Sequence, residues 1–170
     1  MAKTYGGVRY SHSKPSSDFK EFRAFSRDWE KTYFDHDTGG FVVTHHDRIE
    51  SGNRNKQSKE VFEKEQEMCH DLAEQGHRLE HRSDKDRAKG DTYDVMYDGR
   101  KADLKSTKSH NNIEGYAEHA FRDQGAKVVI YRIEPGAQKD KVQKALNSAK
   151  NKYGQTILYY YQSEKILREV

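Results

Sequence analysis

With 170 residues, of which 32% are hydrophobic and 35% charged, the chain has the size of one domain with room for an appendage, and its core must be small. Aromatic residues at 11% argue against disorder, and the single cysteine, Cys69, excludes an internal disulfide framework and a cysteine-based zinc site. A formal charge of +3 permits a polyanionic partner without demanding one.

Met1 to Gly7 lacks a signal-peptide pattern, and no apolar run approaches the roughly 20 residues of a membrane span. The expectation is a cytoplasmic site of action and no membrane partner. Residues 1–55 are polar and irregular and read as an N-terminal extension to a domain at 56–170. Within the extension, Phe19, Phe22, Phe25, Trp29 and Tyr33 recur at spacings of three and four, which predicts an amphipathic helix from Asp18 to Tyr33. A short strand is expected at Phe41–Thr44 and a loop at Ser51–Asn55.

Lys56 to Gln75 has helical periodicity and is stopped by Gly76. A strand follows at His77–His81, then a charged loop to Gly90. Asp98-Gly99 between alternating residues predicts a two-residue type I′ hairpin turn. Counting outward from that turn sets Asp94 opposite Asp103, with β-carbons about 5 Å apart. Like charges so placed call for a cation between them, and magnesium accepts carboxylate oxygens while keeping waters. Lys105 shares a face with Asp103, because side chains alternate along a strand, and Ala102 and Leu104 take the other face.

Asn111 or Asn112 is positioned to cap a helix from Ile113 to Gln124. Lys127–Ile133 reads as a strand buried on both faces, Lys139–Tyr153 as a helix with Val142, Leu146 and Ala149 inward, Thr156–Tyr161 as a final strand, and the remainder as a short helical tail. This order predicts an α/β fold with a mixed central sheet flanked by helices. On the Lys56–Gln75 helix, Glu65 falls within the apolar arc of Val61, Phe62, Met68, Cys69 and Leu72, while Glu60, Glu63, Glu67 and Glu74 face water. A carboxylate on an apolar face needs a partner or must protonate, so Glu65 is a buried ion pair, a protonated acid or, as the acidic hairpin that follows favours, a ligand of a shared cation. Removing Glu65 and removing Glu63 should therefore differ sharply.

An acid on a helix, an acid on a strand and then acid-x-Lys on the next strand, here Glu65, Asp94, Asp103 and Lys105, resembles the PD-(D/E)xK nuclease superfamily. More narrowly, Lys64 to His77 is similar to the opening helix of the C-terminal tRNA nuclease domains of contact-dependent inhibition toxins, and Gln124 to Ile130 is similar to their later helix-to-strand junction. The resemblance covers roughly residues 56 to 162. Tyr93 stands where the family has proline, and Cys69 where it has a small alanine; neither departure removes a ligand.

The resemblance implies a restriction-endonuclease-like fold and metal-dependent phosphodiester hydrolysis. Glu65, Asp94 and Asp103 would hold Mg2+ or Mn2+, and Lys105 would act as the catalytic cation. RNA, tRNA foremost, is the implied substrate, with DNA as the alternative and an immunity protein as a possible partner. A different class of reading is a non-enzymatic nucleic-acid-binding or phage or mobile-element structural protein built on the same scaffold. Ser106 and His110, in the segment leading from the Asp103 strand to the next helix, are candidate substrate contacts, although ordinary capping explains the segment equally. The pairs His45–His46 and His77–His81 invite a zinc reading, which the lack of a cysteine cluster weakens. The lysines of 139–152 and the tyrosines Tyr159 to Tyr161 offer further nucleic-acid contacts.

Overall fold

The computed structural model describes the backbone of residues 4–5, 8–9, 15–82 and 91–170, and side chains from residue 18 onward within those stretches. The expected charged loop up to Gly90 therefore lies mostly outside the described residues. Two dipeptide strands, β1 (Thr4–Tyr5) and β2 (Val8–Arg9), pair with each other. The chain divides into two compact units. One comprises Met1–Tyr5, Arg9–Arg87 and Val95–Gly99; the other comprises Gly6–Val8, Ala88–Asp94 and Arg100–Val170. Both are mixed α/β, each with helices packed on a mixed sheet. No helix among the described residues is long and apolar enough to cross a membrane.

The first unit contains α1 (Pro15–Arg23), β3 (Trp29–Phe34), β4 (Phe41–His45), α2 (His46–Gly52), α3 (Lys56–Glu74), β5 (Arg78–His81) and β6 (Val95–Tyr97). β3 and β4 are antiparallel, β4 and β5 parallel, and β5 and β6 antiparallel. The boundary expected at residue 55 thus falls inside one unit, because β4 pairs with β5 across it.

The helix expected over Asp18–Tyr33 ends at Arg23. Ser26 and Asp28 bond locally, with Asp28 N donating to Ser26 Oγ at 3.4 Å, which competes with helical bonding. Trp29-Glu30-Lys31-Thr32-Tyr33-Phe34 then pairs as a strand, as its aromatic and β-branched content favours. A three-to-four aromatic spacing suits a helix face, and it equally suits a helix followed by a strand over one core. Phe22, Phe41 and Val43 form that core, with Phe19, Phe25, Trp29 and Phe34 around it.

α3 matches expectation closely. Asn55 caps it, its side chain accepting from Ser58 N at 2.8 Å. Met68, Cys69 and Leu72 are buried as the periodicity requires, whereas Val61 is 49% exposed and so does not belong to the apolar arc. α2 was not anticipated, since His46–Gly52 carries no apolar repeat. Its end packs on α3, where a β-carbon on Gly52 would come within 2.6 Å of the Phe62 ring.

Gly40 makes a tighter approach. A β-carbon there would stand 1.9 Å from the Ala73 carbonyl oxygen and 2.8 Å from Gly76 Cα, both backbone atoms that cannot swing aside. Gly40→Ala is expected to destabilise by at least about 1–3 kcal/mol, the usual cost of forcing atoms into a packed site, read as a lowered melting temperature.

Asp98 (φ 46°) and Gly99 (φ 82°) are both left-handed, the backbone that a type I′ turn requires. The Asp98 carboxylate holds the turn in place, accepting from Arg78 N at 2.8 Å and meeting His77 Nδ1 at 2.7 Å.

The second unit contains β7 (Arg100–Thr107), α4 (Ile113–Glu118), β8 (Val128–Ile133), α5 (Lys139–Tyr153), β9 (Thr156–Tyr161) and β10 (Arg168–Glu169). β7, β8 and β9 are parallel neighbours and β10 closes the edge antiparallel to β9. The register aligns Asp103 with Val129 and Ile157, and Lys105 with Tyr131 and Tyr159. All six residues of β8 are buried, as a strand covered on both faces should be. α4 continues through a wider turn, His119–Asp123, and reaches the end expected at Gln124. The expected helical tail is instead a turn and a strand. Lys165 adopts φ 55°, which stops a right-handed helix, and buried Leu167 anchors the return to β10.

Candidate active site

Strand alternation puts Asp103, Lys105 and Thr107 on the β7 face that carries Tyr131 and Tyr159, with Ala102, Leu104 and Ser106 on the other. Asp103 is fully buried. Its Oδ2 lies 2.6 Å from Lys105 Nζ, and its Oδ1 meets no hydrogen-bond donor among the described residues. The Lys105 ammonium also donates to Gln124 Oε1 at 3.2 Å and sits 5.6 Å from the centre of the Tyr116 ring. Tyr131 is pushed well above an ordinary phenol, first by burial and then by the negative charge of Asp103. Its hydroxyl donates to the Ile113 carbonyl, so it remains a neutral wall of the site.

Asp94 attaches to β7 on either side of Asp103. Its amide donates to the Ala102 carbonyl at 3.1 Å, and its carboxylate Oδ2 accepts from Leu104 N at 2.8 Å. Leu104 N is two bonds from Asp103 Cα, so the Asp94 carboxylate reaches the strand between Asp103 and Lys105. The hairpin count had the two acids simply facing each other; the backbone bond gives the Asp94 charge a donor and relieves that repulsion.

Glu65 lies in the other unit, half-turned into the α3 core. Its Oε2 accepts from Arg48 Nη2 at 2.6 Å and lies 2.7 Å from His81 Nε2. His81 is fully buried and stacks on Phe62 at 5.4 Å, and its Nδ1 stands 2.6 Å from Gln66 Nε2. With the Gln66 amide as donor, Nδ1 accepts and Nε2–H donates to Glu65. Gln66 continues the chain of bonds to Thr44, and Thr44 to Thr32. Burial pushes the Glu65 carboxyl up, but the His81 hydrogen bond and the Arg48 guanidinium outweigh it and hold the group below the ordinary glutamate value. Glu65 is an ionised carboxylate inside a satisfied cluster, which answers the sequence question of what partners it.

Ser106 lies on the face opposite Lys105, and its Oγ accepts from Arg132 Nε at 2.9 Å. It is a seat for a buried arginine and is not brought to Asp103. His110 opens a short 3-10 turn, His110–Asn112, capped by Ser109. The histidines of the zinc reading are engaged separately, His77 with Asp98 and His81 with Glu65. Among the described residues, no three His, Cys, Asp or Glu side chains stand close enough together to hold an ion by themselves.

Gln124 and Tyr116 are neighbours of Lys105 that the sequence did not single out. Gln124 sits at the end of a helix, where nothing in the local pattern marks its contact with Lys105. His81 carried a usable signal, being inward by alternation with Leu79 on β5.

No protein-family model and no curated protein sequence matches the chain. Among solved structures, a chain of the CdiA-CT/CdiI toxin and immunity complex from Burkholderia pseudomallei is similar, with a TM-score of 0.53 at 12% identity, the match covering 69% of this chain and 91% of that one. At that identity the likeness is one of fold.

Proposed function

We propose that the chain is a toxin-type, metal-dependent endonuclease that hydrolyses phosphodiester bonds in RNA, tRNA foremost, in the cytoplasm, and that an immunity protein restrains it. The observation that carries this reading is a buried Asp103 ion-paired to Lys105, with the carboxylate of Asp94 anchored on the amide between them. A fold likeness to a toxin and immunity complex supports the same reading.

The donor set suits a hard divalent ion. Magnesium is commonly held by one or two carboxylates plus water and substrate phosphate, and Asp94 and Asp103 are two carboxylates held at β7, one in the strand and one bonded to its Leu104 amide. The orphaned Oδ1 of Asp103 is the atom such an ion would satisfy. Glu65, the third acid of the pattern, has its Oε2 taken up by Arg48 and His81, so the two aspartates are the ligands this reading rests on.

Bound there, magnesium or manganese would supply Lewis-acid polarisation of the phosphate and a water of lowered pKa. Lys105 would neutralise the negative charge that grows on the phosphate oxygens, and it is pre-oriented for this by Asp103 and Gln124. Tyr131, on the same face, is fully buried, and an apolar neighbour of this kind strengthens a charge interaction beside it.

The test is incubation of the purified chain with total RNA and with plasmid DNA, in chelator and after adding back magnesium. Cleavage of RNA that stops in chelator and returns with magnesium is expected. Cleavage in chelator would contradict metal dependence, cleavage of DNA alone would move the substrate to DNA, and cleavage of neither would overturn the reading.

A further inference from the structure

A second site lies in the same unit, at the far side of the sheet face that bears Asp103 and Lys105. An open cleft of about 370 Å³ lies between the first turn of α5, the end of β9 and β10. Its floor is Tyr159 and Tyr161, whose rings meet edge to face at 6.1 Å. One side chain ties both phenols together: Tyr159 donates to Gln143 Oε1 at 3.5 Å, and Gln143 Nε2 donates to the Tyr161 hydroxyl at 3.2 Å. Lys139 lies over the Tyr161 ring at 4.7 Å and 3.4 Å from Glu164, which also faces Arg168 at 3.8 Å. Tyr159 shares a register row with Lys105, two strands away, a backbone separation of about 10 Å.

The chemistry of the lining selects among ligands. The cleft has the volume of a small-ligand site, too small for a folded partner segment. Its two cations are matched by two anions, Asp140 and Glu164, so it is not a phosphate trap. It offers an aromatic floor, a fixed amide with donor and acceptor edges, and exposed charged side chains that can swing aside. A neutral, planar ring with hydrogen-bonding edges fits all three features, and base-on-aromatic stacking is a recurrent mode of single-strand binding.

We infer that the Tyr159–Tyr161–Gln143 cleft is a pocket for one unpaired nucleobase of a single-stranded nucleic acid. Tyr161 stacks on the base, exchanging its exposed contact with Lys139 for it, and the Gln143 amide meets the base edge. The inference rests on the reading of the chain as a nucleic-acid enzyme, and it adds that the substrate is unpaired where it leaves the Asp103–Lys105 face.

The experiment is a binding titration in chelator, by fluorescence anisotropy, with a labelled single-stranded hexauridylate and with a hexamer of the same backbone lacking bases. The full chain is compared with Tyr161→Phe, Tyr161→Leu and Tyr161→Ala, each checked by its melting curve. Hexauridylate is expected to bind, and the baseless hexamer to bind about tenfold more weakly. Tyr161→Ala and Tyr161→Leu should each lose about tenfold and Tyr161→Phe less than about twofold, as stacking requires. Equal binding of the baseless hexamer, undiminished binding by a folded Tyr161→Leu, or no binding of hexauridylate would overturn the pocket. Cleavage of RNA with binding unchanged in these variants sinks the pocket alone; ring-dependent binding without cleavage sinks only the nuclease reading.

Discussion

Asp103→Asn is expected to abolish RNA cleavage, by at least about a hundredfold, the scale on which removing one electrostatic stabiliser of a transition state is felt. The fold should persist, because asparagine keeps the shape and can still present an oxygen to Lys105; the melting temperature should fall by no more than the equivalent of about 1–2 kcal/mol. Lys105→Ala should abolish activity too, but for two reasons that must be separated. It removes the catalytic cation and leaves the fully buried Asp103 carboxylate without its ion pair, a loss of about 3–5 kcal/mol. The double variant Asp103→Asn with Lys105→Ala should therefore melt higher than Lys105→Ala alone while staying inactive. A double variant that melts lower would contradict the assigned ion pair, and full activity in a folded Asp103→Asn would end the assignment of Asp103 to the catalytic site.

Glu65 gives the second large effect, in stability first. Glu65→Ala leaves Arg48 and buried His81 without their shared acceptor and should cost about 3–5 kcal/mol, or roughly 6–20 °C in melting temperature. Glu63→Ala, on the exposed side of the same helix, should change stability by no more than about 0.5 kcal/mol. The pH dependence has a definite sign. The folded Glu65 carboxyl is held below its ordinary value of 4.5, so its contribution is fully present above that pH and is lost as the pH falls through the lower folded value. Glu65→Gln should show a shallower loss of melting temperature in that acid window; an unchanged acid limb would mean that the cluster does not stabilise the fold. Activity of Glu65→Gln measured well below its melting temperature separates a ligand role from the structural one.

The elements that could be read from sequence were those whose signals are local. α3, α5, β8 and β9 each carry an unbroken periodicity bounded by a cap or a glycine, and the Asp98-Gly99 turn requires nothing beyond its own two residues. Where one pattern serves two structures, sequence failed. The aromatic spacing of Asp18–Tyr33 fits one helix or a helix and a strand over a shared core, and the choice came from pairing with β4. The tail after Tyr161 was decided by a single left-handed residue, Lys165, and by the burial of Leu167.

The same division holds at the site. The pairing of Asp103 with Lys105 follows from strand alternation and was legible. The attachment of Asp94 to the Leu104 amide was not, because a hairpin count fixes which residues face each other and cannot say which donor a carboxylate takes. Glu65 was legible as a buried acid, but Arg48 and His81 lie 17 and 16 residues away along the chain, beyond any local pattern. Gln124 reaches Lys105 only because the wider turn His119–Asp123 before it packs on β8.

The most direct measurement is manganese binding by electron paramagnetic resonance, in the absence of nucleic acid, to the wild-type chain, Asp94→Asn, Asp103→Asn and Glu63→Gln. One manganese per chain, displaced by magnesium, lost in both aspartate variants and kept in Glu63→Gln is the predicted result. No bound manganese at millimolar metal, or binding indifferent to both aspartates, would contradict a divalent-ion site at Asp94 and Asp103.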